Sequence, residues 1–94
     1  MKKETIFRYE MNYRKAEAQA QTIAESIIKK HPDLEYNILT AEGEGVFVRL
    51  FGDEAKVRQI SASMRKKELK LLLAGTPVYI IFGGKKKVAA NSHA

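Results

Sequence analysis

The chain has 94 residues, a net charge of +6 at pH 7 and no cysteine. The length suits one domain with one hydrophobic core, and the lack of cysteine excludes disulfides, thiolate metal sites and cysteine nucleophiles. No apolar run is long enough for a signal peptide or for the roughly 20 residues of a membrane span, so we expect a cytoplasmic protein.

The charge is unevenly distributed along the chain. Residues 1–55 contain eight Lys or Arg and ten Asp or Glu, a net charge of −2. Residues 56–94 contain nine Lys or Arg and one acid, Glu68, a net charge of +8. A basic half favours a polyanionic partner, because neutralised phosphates release their counterions. A solubilising surface is the alternative interpretation.

The first predicted elements are a strand over residues 5–11 and a long helix. The strand is predicted from alternating aromatic and polar residues. Asn12 is placed to cap a helix over Tyr13–Lys30, where alanine and isoleucine recur at helical spacing, and a proline stops it. Arg14 and Lys15 lie in its first turn, where cations oppose the helix dipole. Such a local mismatch points weakly to a binding surface.

A hairpin is predicted after this helix. Residues 34–40 predict a second strand, and the glycines at 43 and 45 supply a turn, because glycine adopts positive φ without steric cost. Residues 45–51 predict a third strand with two distinct faces. Its aliphatic face consists of Val46, Val48 and Leu50. Its other face consists of Phe47, Arg49 and Phe51.

The last predicted elements lie in the basic half. Asp53 is placed to cap a second helix over residues 54–73, in which we expect a break around residues 65–68. A glycine and a proline within residues 74–77 end the helical region. The apolar, β-rich residues 78–82 predict a fourth strand.

The predicted order is strand, helix, strand, strand, helix, strand. Two interlocked βαβ units predict a ferredoxin-like βαββαβ fold, an α+β architecture with a four-stranded antiparallel sheet and two helices on one face. In its usual strand order, 4-1-3-2, the third predicted strand is central. We expect a single domain over residues 1–88 and a disordered tail over residues 89–94.

Basic and aromatic side chains are the candidate binding residues. On the open face of such a sheet the predicted contacts are Phe47, Phe51 and Tyr79, because large exposed apolar faces mark interfaces. The predicted nucleic-acid-binding residues are Arg49, Arg58, Arg65, Lys66, Lys67, Lys70, Lys85, Lys86 and Lys87. For the run over residues 65–70, a solvated helix face is an equally good interpretation.

Residues 45–60, GVFVRLFGDEAKVRQI, are similar to the third strand and the start of the second helix of the RNA recognition motif family. This resemblance implies that bases stack on aromatic residues of the sheet. The family's motif begins with a basic residue and a glycine and then places aromatics at fixed offsets. Here Glu44 precedes Gly45, and Val46 stands where an aromatic residue is expected. The chain is therefore not assigned to the family.

The sequence contains no visible catalytic or metal-binding constellation. Its paired acids flank turns or caps, Ser61 and Ser63 lack a partner base, and His31 and His93 are too few for a metal site. We therefore expect a non-enzymatic module without a cofactor. The leading hypothesis is binding of DNA or RNA. One alternative is a regulatory module, such as a phage or mobile-element modulator, that dimerises through its sheet and docks on an acidic protein. A third is an ACT-like small-ligand sensor.

Overall fold

The computed structural model describes residues 12–85 of the chain. The described elements are, in chain order, α1 (Tyr13–Lys30), β1 (Glu35–Ala41), β2 (Gly45–Phe51), α2 (Glu54–Ser63), α3 (Arg65–Leu73) and β3 (Val78–Gly84). The strands form a mixed sheet in the order β1-β2-β3, with β1 antiparallel and β3 parallel to β2. The predicted strand over residues 5–11 and the predicted tail over residues 89–94 lie outside the described residues.

The prediction of a ferredoxin-like fold with a four-stranded antiparallel sheet is wrong. In that fold the two βαβ units interlock, so another strand separates the two strands that each helix connects. Here β2 and β3 are direct neighbours, paired from Val46↔Val78 to Leu50↔Phe82. Adjacent parallel strands need a crossover connection, which α2 and α3 provide. The described residues therefore form three helices and a three-stranded mixed sheet.

The helix α1 has the bounds that the sequence predicts. The Asn12 side chain accepts a hydrogen bond from the Lys15 backbone N–H at 3.0 Å, which satisfies one donor at the helix start. One face of α1 packs on the sheet through Ala16, Ala20, Ile23, Ala24 and Ile27. The alanines allow the helix to approach the sheet closely, and the isoleucines fill the space farther along.

The neighbouring strands β2 and β3 supply the sheet side of the core. Val46, Val48 and Leu50 are fully buried on the helix-covered face of the central strand β2. Val78 and Ile80 continue the same layer on β3, because they are the register partners of Val46 and Val48. Residues from all three helices join this one cluster, so these helices cover one face of the sheet. No helix within residues 12–85 covers the other face, which we call the helix-free face.

The second helical region breaks at Met64, just before the predicted range of residues 65–68. Asp53 caps α2 as predicted, accepting a hydrogen bond from the Lys56 backbone N–H at 2.9 Å. Met64 leaves the helical geometry, with φ −98° and ψ 1°, and α3 begins at the next residue. Within α3 only Leu71 is buried. The rest of this short helix lies mostly at the surface, and it carries four of the nine cations of the basic half, Arg65, Lys66, Lys67 and Lys70.

Side chains of α2 and α3 hold the outer edge of β3. The Glu68 carboxylate accepts a hydrogen bond from the Ile80 backbone N–H at 2.9 Å. The Ser61 hydroxyl donates to the Ile80 carbonyl at 2.9 Å. The N–H and the carbonyl of Ile80 point away from β2, and side chains of the crossover helices bond both of them. These bonds protect this part of the β3 edge from pairing with another strand.

Candidate nucleic-acid interface

The predicted binding residues lie on two opposite sides of the sheet. Phe47, Arg49, Phe51 and Tyr79 project from the face without helices, because strand residues alternate between the two faces. The helical layer carries Arg58, Arg65, Lys66, Lys67 and Lys70. Lys85 follows β3, and Lys86 and Lys87 lie outside the described residues. The fold therefore separates the aromatic set from most of the basic set, and the two do not form one site.

The aromatic side chains of the sheet face contact each other and the neighbouring arginine. The rings of Phe47 and Tyr79 lie 5.3 Å apart between centroids and are tilted by 34°. Phe51 is only 5% exposed, and its ring packs over Gly83, where an added Cβ would lie 2.7 Å from the ring. The Arg49 guanidinium lies 5.6 Å from the centre of the Phe51 ring. The half-buried Phe47 and Tyr79 are thus the aromatics with surface left for a partner.

Arg49 and Arg58 have hydrogen-bond partners within the chain. Arg49 Nε donates to the Asn37 side-chain oxygen at 3.1 Å. Arg58 forms an ion pair with Glu54 one helical turn earlier, with Nε 2.9 Å from a carboxylate oxygen. Both partners of the Arg58 pair are exposed, so the pair adds little stability and does not prevent a stronger anion from competing.

A groove runs between α1 and the α2–α3 junction. It consists of two adjoining depressions of about 350 and 360 Å³, which share Thr22, Ile23 and Lys67. We call this feature the α1–α3 groove. Its α1 wall follows one stripe of the helix: Lys15, Gln19, Thr22, Ser26 and Lys30. Its opposite wall is formed by Ile60, Ser63, Met64 and Lys67.

The lining of the α1–α3 groove is cationic. Lys15 and Lys67 line one depression, and Lys67, Lys30 and His31 line the other. No aspartate or glutamate lines either depression. Within residues 12–85 none of the three lysines forms an ion pair. The groove therefore presents positive charge that its own walls leave uncompensated.

The acids nearest in sequence to the groove residues have other partners. On α1, Glu17 accepts a hydrogen bond from the Thr40 hydroxyl, and Glu25 accepts one from the Gln21 side-chain amide. Glu68 follows Lys67, and its carboxylate is bonded to the backbone of β3. Asp33 follows His31 by two residues and forms an ion pair with Lys56 Nζ at 3.0 Å. The hydrogen bond from Lys56 is the main cause that lowers the pKa of Asp33 below its ordinary value of 3.8. All four carboxylates are therefore held by partners outside the groove lining.

Sequence reasoning identified only part of this groove. It singled out Lys67 and pointed weakly to Lys15, but it did not place Lys30 and His31 in a binding site. A weak signal was present at Lys15, a cation in the first turn of a helix with no acid there. The packing of α1 against the α2–α3 junction joins residues that are far apart in sequence, and no local pattern encodes that contact.

No family model matches this chain, and the comparisons with curated proteins and with solved structures found no match either. In the part of the chain that the structure describes, no helix is both long and apolar enough to cross a membrane. Over the same residues, no group of three or more His, Cys, Asp or Glu side chains is arranged to hold a metal ion.

Proposed function

We propose that the protein binds nucleic acid through its helical layer, with the α1–α3 groove as the contact for backbone phosphates. The observation that carries this proposal is a row of lysines along one groove: within residues 12–85 no ion pair holds these lysines and no acid lines the groove. Lys15 and Lys30 lie on the same stripe of α1, about 22 Å apart at a rise of 1.5 Å per residue. Lys67 lies between them, because it borders both depressions. Such a row spans several successive phosphates of a strand.

The surface of α3 extends the positive charge beyond the groove. Arg65, Lys66 and Lys70 are exposed and form no ion pair within the described residues. Arg65 also lines a second groove, beside Arg58 and the edge of β3. Cations thus lie on both sides of α3, and a polyanion that crosses this helix meets positive charge throughout.

The chemistry of these cations favours phosphate contacts without sequence readout. The groove cations are lysines, which act as compact point charges on flexible stems rather than as fixed bidentate donors. Contacts of this kind fix a strand in place but do not read its bases. We therefore expect binding that depends strongly on salt and weakly on sequence.

A charge-removal experiment tests the proposal. The triple variant Lys15→Gln, Lys30→Gln, Lys67→Gln is compared with the wild type by fluorescence anisotropy, using labelled DNA and RNA oligonucleotides between about 50 and 200 mM salt. We expect the variant to bind at least about tenfold more weakly and its log K against log salt slope to fall by about 3.

The matched control removes the same charge from exposed positions outside the groove lining, as Arg14→Gln, Lys29→Gln, Lys85→Gln. This control should retain most of the affinity and change the salt slope by less than about 1. An equal loss in both triple variants contradicts the groove as the contact surface. No binding of the wild type to single-stranded or duplex DNA or RNA at low salt overturns the proposed function.

A second candidate function, self-association through the sheet, is favoured by the exposed apolar side chains of the helix-free face. Leu39 is 48% and Ile81 37% exposed, beside the half-buried Phe47 and Tyr79. Contiguous apolar surface of this kind marks interfaces, and two such sheets can stack face to face.

Sedimentation velocity tests this second candidate. We expect a dimer of the wild type that dissociates in the variant Leu39→Ser, Ile81→Ser. The control Leu73→Ser changes a leucine of α3 that is 78% exposed, and it should leave the dimer intact. A wild-type protein that is monomeric at all concentrations tested excludes self-association.

A further inference from the structure

The depression at the C-terminal end of α1 combines an apolar floor with a cationic rim. Its floor is formed by Ile23, Ile27, Ile60 and Met64. The three isoleucines are 6%, 6% and 9% exposed, so they present a thin apolar surface continuous with the core. A groove that served phosphates alone would gain nothing from such a floor, because ionised oxygens lose hydration against apolar groups.

The two lysines of this depression lie at its two ends. Lys67 borders the end that is shared with the neighbouring depression, next to Thr22 and Ile23. Lys30 and His31 lie at the other end, about 11 Å farther along α1 at 1.5 Å per residue. A matching ligand therefore carries an apolar, planar or compact group with an anion on each side of it.

We propose that this depression takes one unstacked base of a single-stranded nucleic acid, with the flanking phosphates at Lys67 and Lys30. This inference rests on the proposed function and names its preferred ligand as single-stranded rather than duplex. The volume of about 350 Å³ lies in the range of small-ligand pockets, and apolar side chains are common contacts for extruded bases. An anionic amphiphile with a single headgroup matches less well, because it leaves the cation at one end without a partner.

Rim hydroxyls offer polar contacts to the edge of the base. The Ser63 hydroxyl donates to the Ile60 carbonyl at 2.7 Å, so it presents its lone pairs outward as an acceptor. Thr22 is bonded in the same way to Ala18 at 3.1 Å. The Ser26 hydroxyl has no hydrogen-bond partner among the described residues and is exposed at the middle of the α1 wall. Ser26 is therefore the position at which a larger side chain most simply obstructs the depression.

The test separates base insertion from phosphate binding. Binding is measured for a single-stranded oligonucleotide, for an abasic tetrahydrofuran phosphate strand of equal length and charge, and for the corresponding duplex. We expect the wild type to bind the single strand about tenfold more tightly than the abasic strand, in line with the contribution of single base contacts. The duplex should bind no more tightly than the abasic strand.

The variant Ser26→Leu places an apolar side chain at the middle of the α1 wall of the depression and obstructs it without changing any charge. It should abolish the preference for the single strand and retain the affinity for the abasic strand. Ala62→Leu adds similar bulk at an exposed position of α2 outside the groove lining, and it should retain the preference. Circular dichroism confirms that both variants are folded.

The outcomes distinguish the two proposals. Equal binding of the single strand, the abasic strand and the duplex overturns base insertion and leaves the proposed function standing. Absence of binding to all three overturns the proposed function. A preference for the single strand that survives in Ser26→Leu also overturns insertion at this depression. Binding of phosphatidylglycerol vesicles that Ser26→Leu abolishes, without a preference for bases, assigns the depression to an anionic lipid instead.

Discussion

At the scale of single residues, Gly83 and Phe51 fit together on the helix-free face of the sheet. A Cβ at Gly83 would lie 2.7 Å from Cε1 and Cζ of Phe51 and 3.1 Å from the Cβ of Arg49. We expect Gly83→Ala to lower the free energy of unfolding by about 1–3 kcal/mol, because the ring must move from a packed position. Urea denaturation of the single variant measures this change.

A double-mutant cycle gives the control for this contact. Phe51→Leu shortens the side chain that Gly83→Ala would clash with, so the two substitutions together should cost less than the sum of their separate effects. Strict additivity would show that the ring does not determine the requirement for glycine at this position.

The ion pair of Asp33 and Lys56 has a defined pH dependence. The pair lowers the pKa of the Asp33 carboxyl in the folded protein below its ordinary value of 3.8. The stability that the pair contributes is therefore present at pH values above 3.8, and it is lost as the pH falls through the lowered pKa of the folded state. We expect an NMR titration of the Asp33 carboxyl to give a midpoint below 3.8. Lys56→Met should move this midpoint upward, and an unchanged midpoint in the variant would assign the shift to another group.

At the scale of elements, the attachment of α3 to β3 depends on Glu68. Glu68→Ala leaves the partly buried N–H of Ile80 without its acceptor, and we expect a loss of about 1–3 kcal/mol in unfolding free energy. Faster hydrogen exchange of the Ile80 amide should accompany that loss. Glu68→Gln keeps an acceptor oxygen and should restore most of both properties, so equal losses in the two variants would argue against this hydrogen bond.

The bounds of the elements follow from local signals, and their pairing does not. Asn12 and Asp53 begin helices where the sequence predicts them, because a capping side chain acts within one turn. The ferredoxin-like prediction was wrong because β3 is apolar along most of its length, and its composition is compatible with several neighbours. Only the crossover through α2 and α3 places it beside β2.

The candidate binding residues show the same distinction between local signals in the sequence and the packing of elements. Arg65, Lys66, Lys67 and Lys70 form a continuous basic run that the sequence alone reveals. Which way each side chain points depends on how α3 packs: Lys67 lines the α1–α3 groove, whereas Arg65 lines the groove beside β3. The basic run and the sheet aromatics were both predicted as contacts, and the two-layer arrangement places them on opposite sides of the sheet.

At the scale of the whole molecule, the two candidate surfaces lie on opposite sides of one sheet. The α1–α3 groove belongs to the helical layer, and the patch around Leu39 and Ile81 belongs to the helix-free face. If two copies associated through their sheets, the α1–α3 groove of each copy would face outward. A dimer would then hold two copies of the proposed nucleic-acid site, and we expect a strand long enough to reach both to bind with higher avidity than one site allows.

The parallel pairing of β2 with β3 also has a consequence for the order of folding. The α1 helix and the β1–β2 hairpin need only contacts between neighbouring elements, whereas β3 reaches its place after the whole crossover over residues 52–77. Closing that long loop costs chain entropy before the new pairing compensates for it. We therefore expect the edge of β2 that pairs with β3 to be covered last among the described pairings, because β3 is the last described strand along the chain.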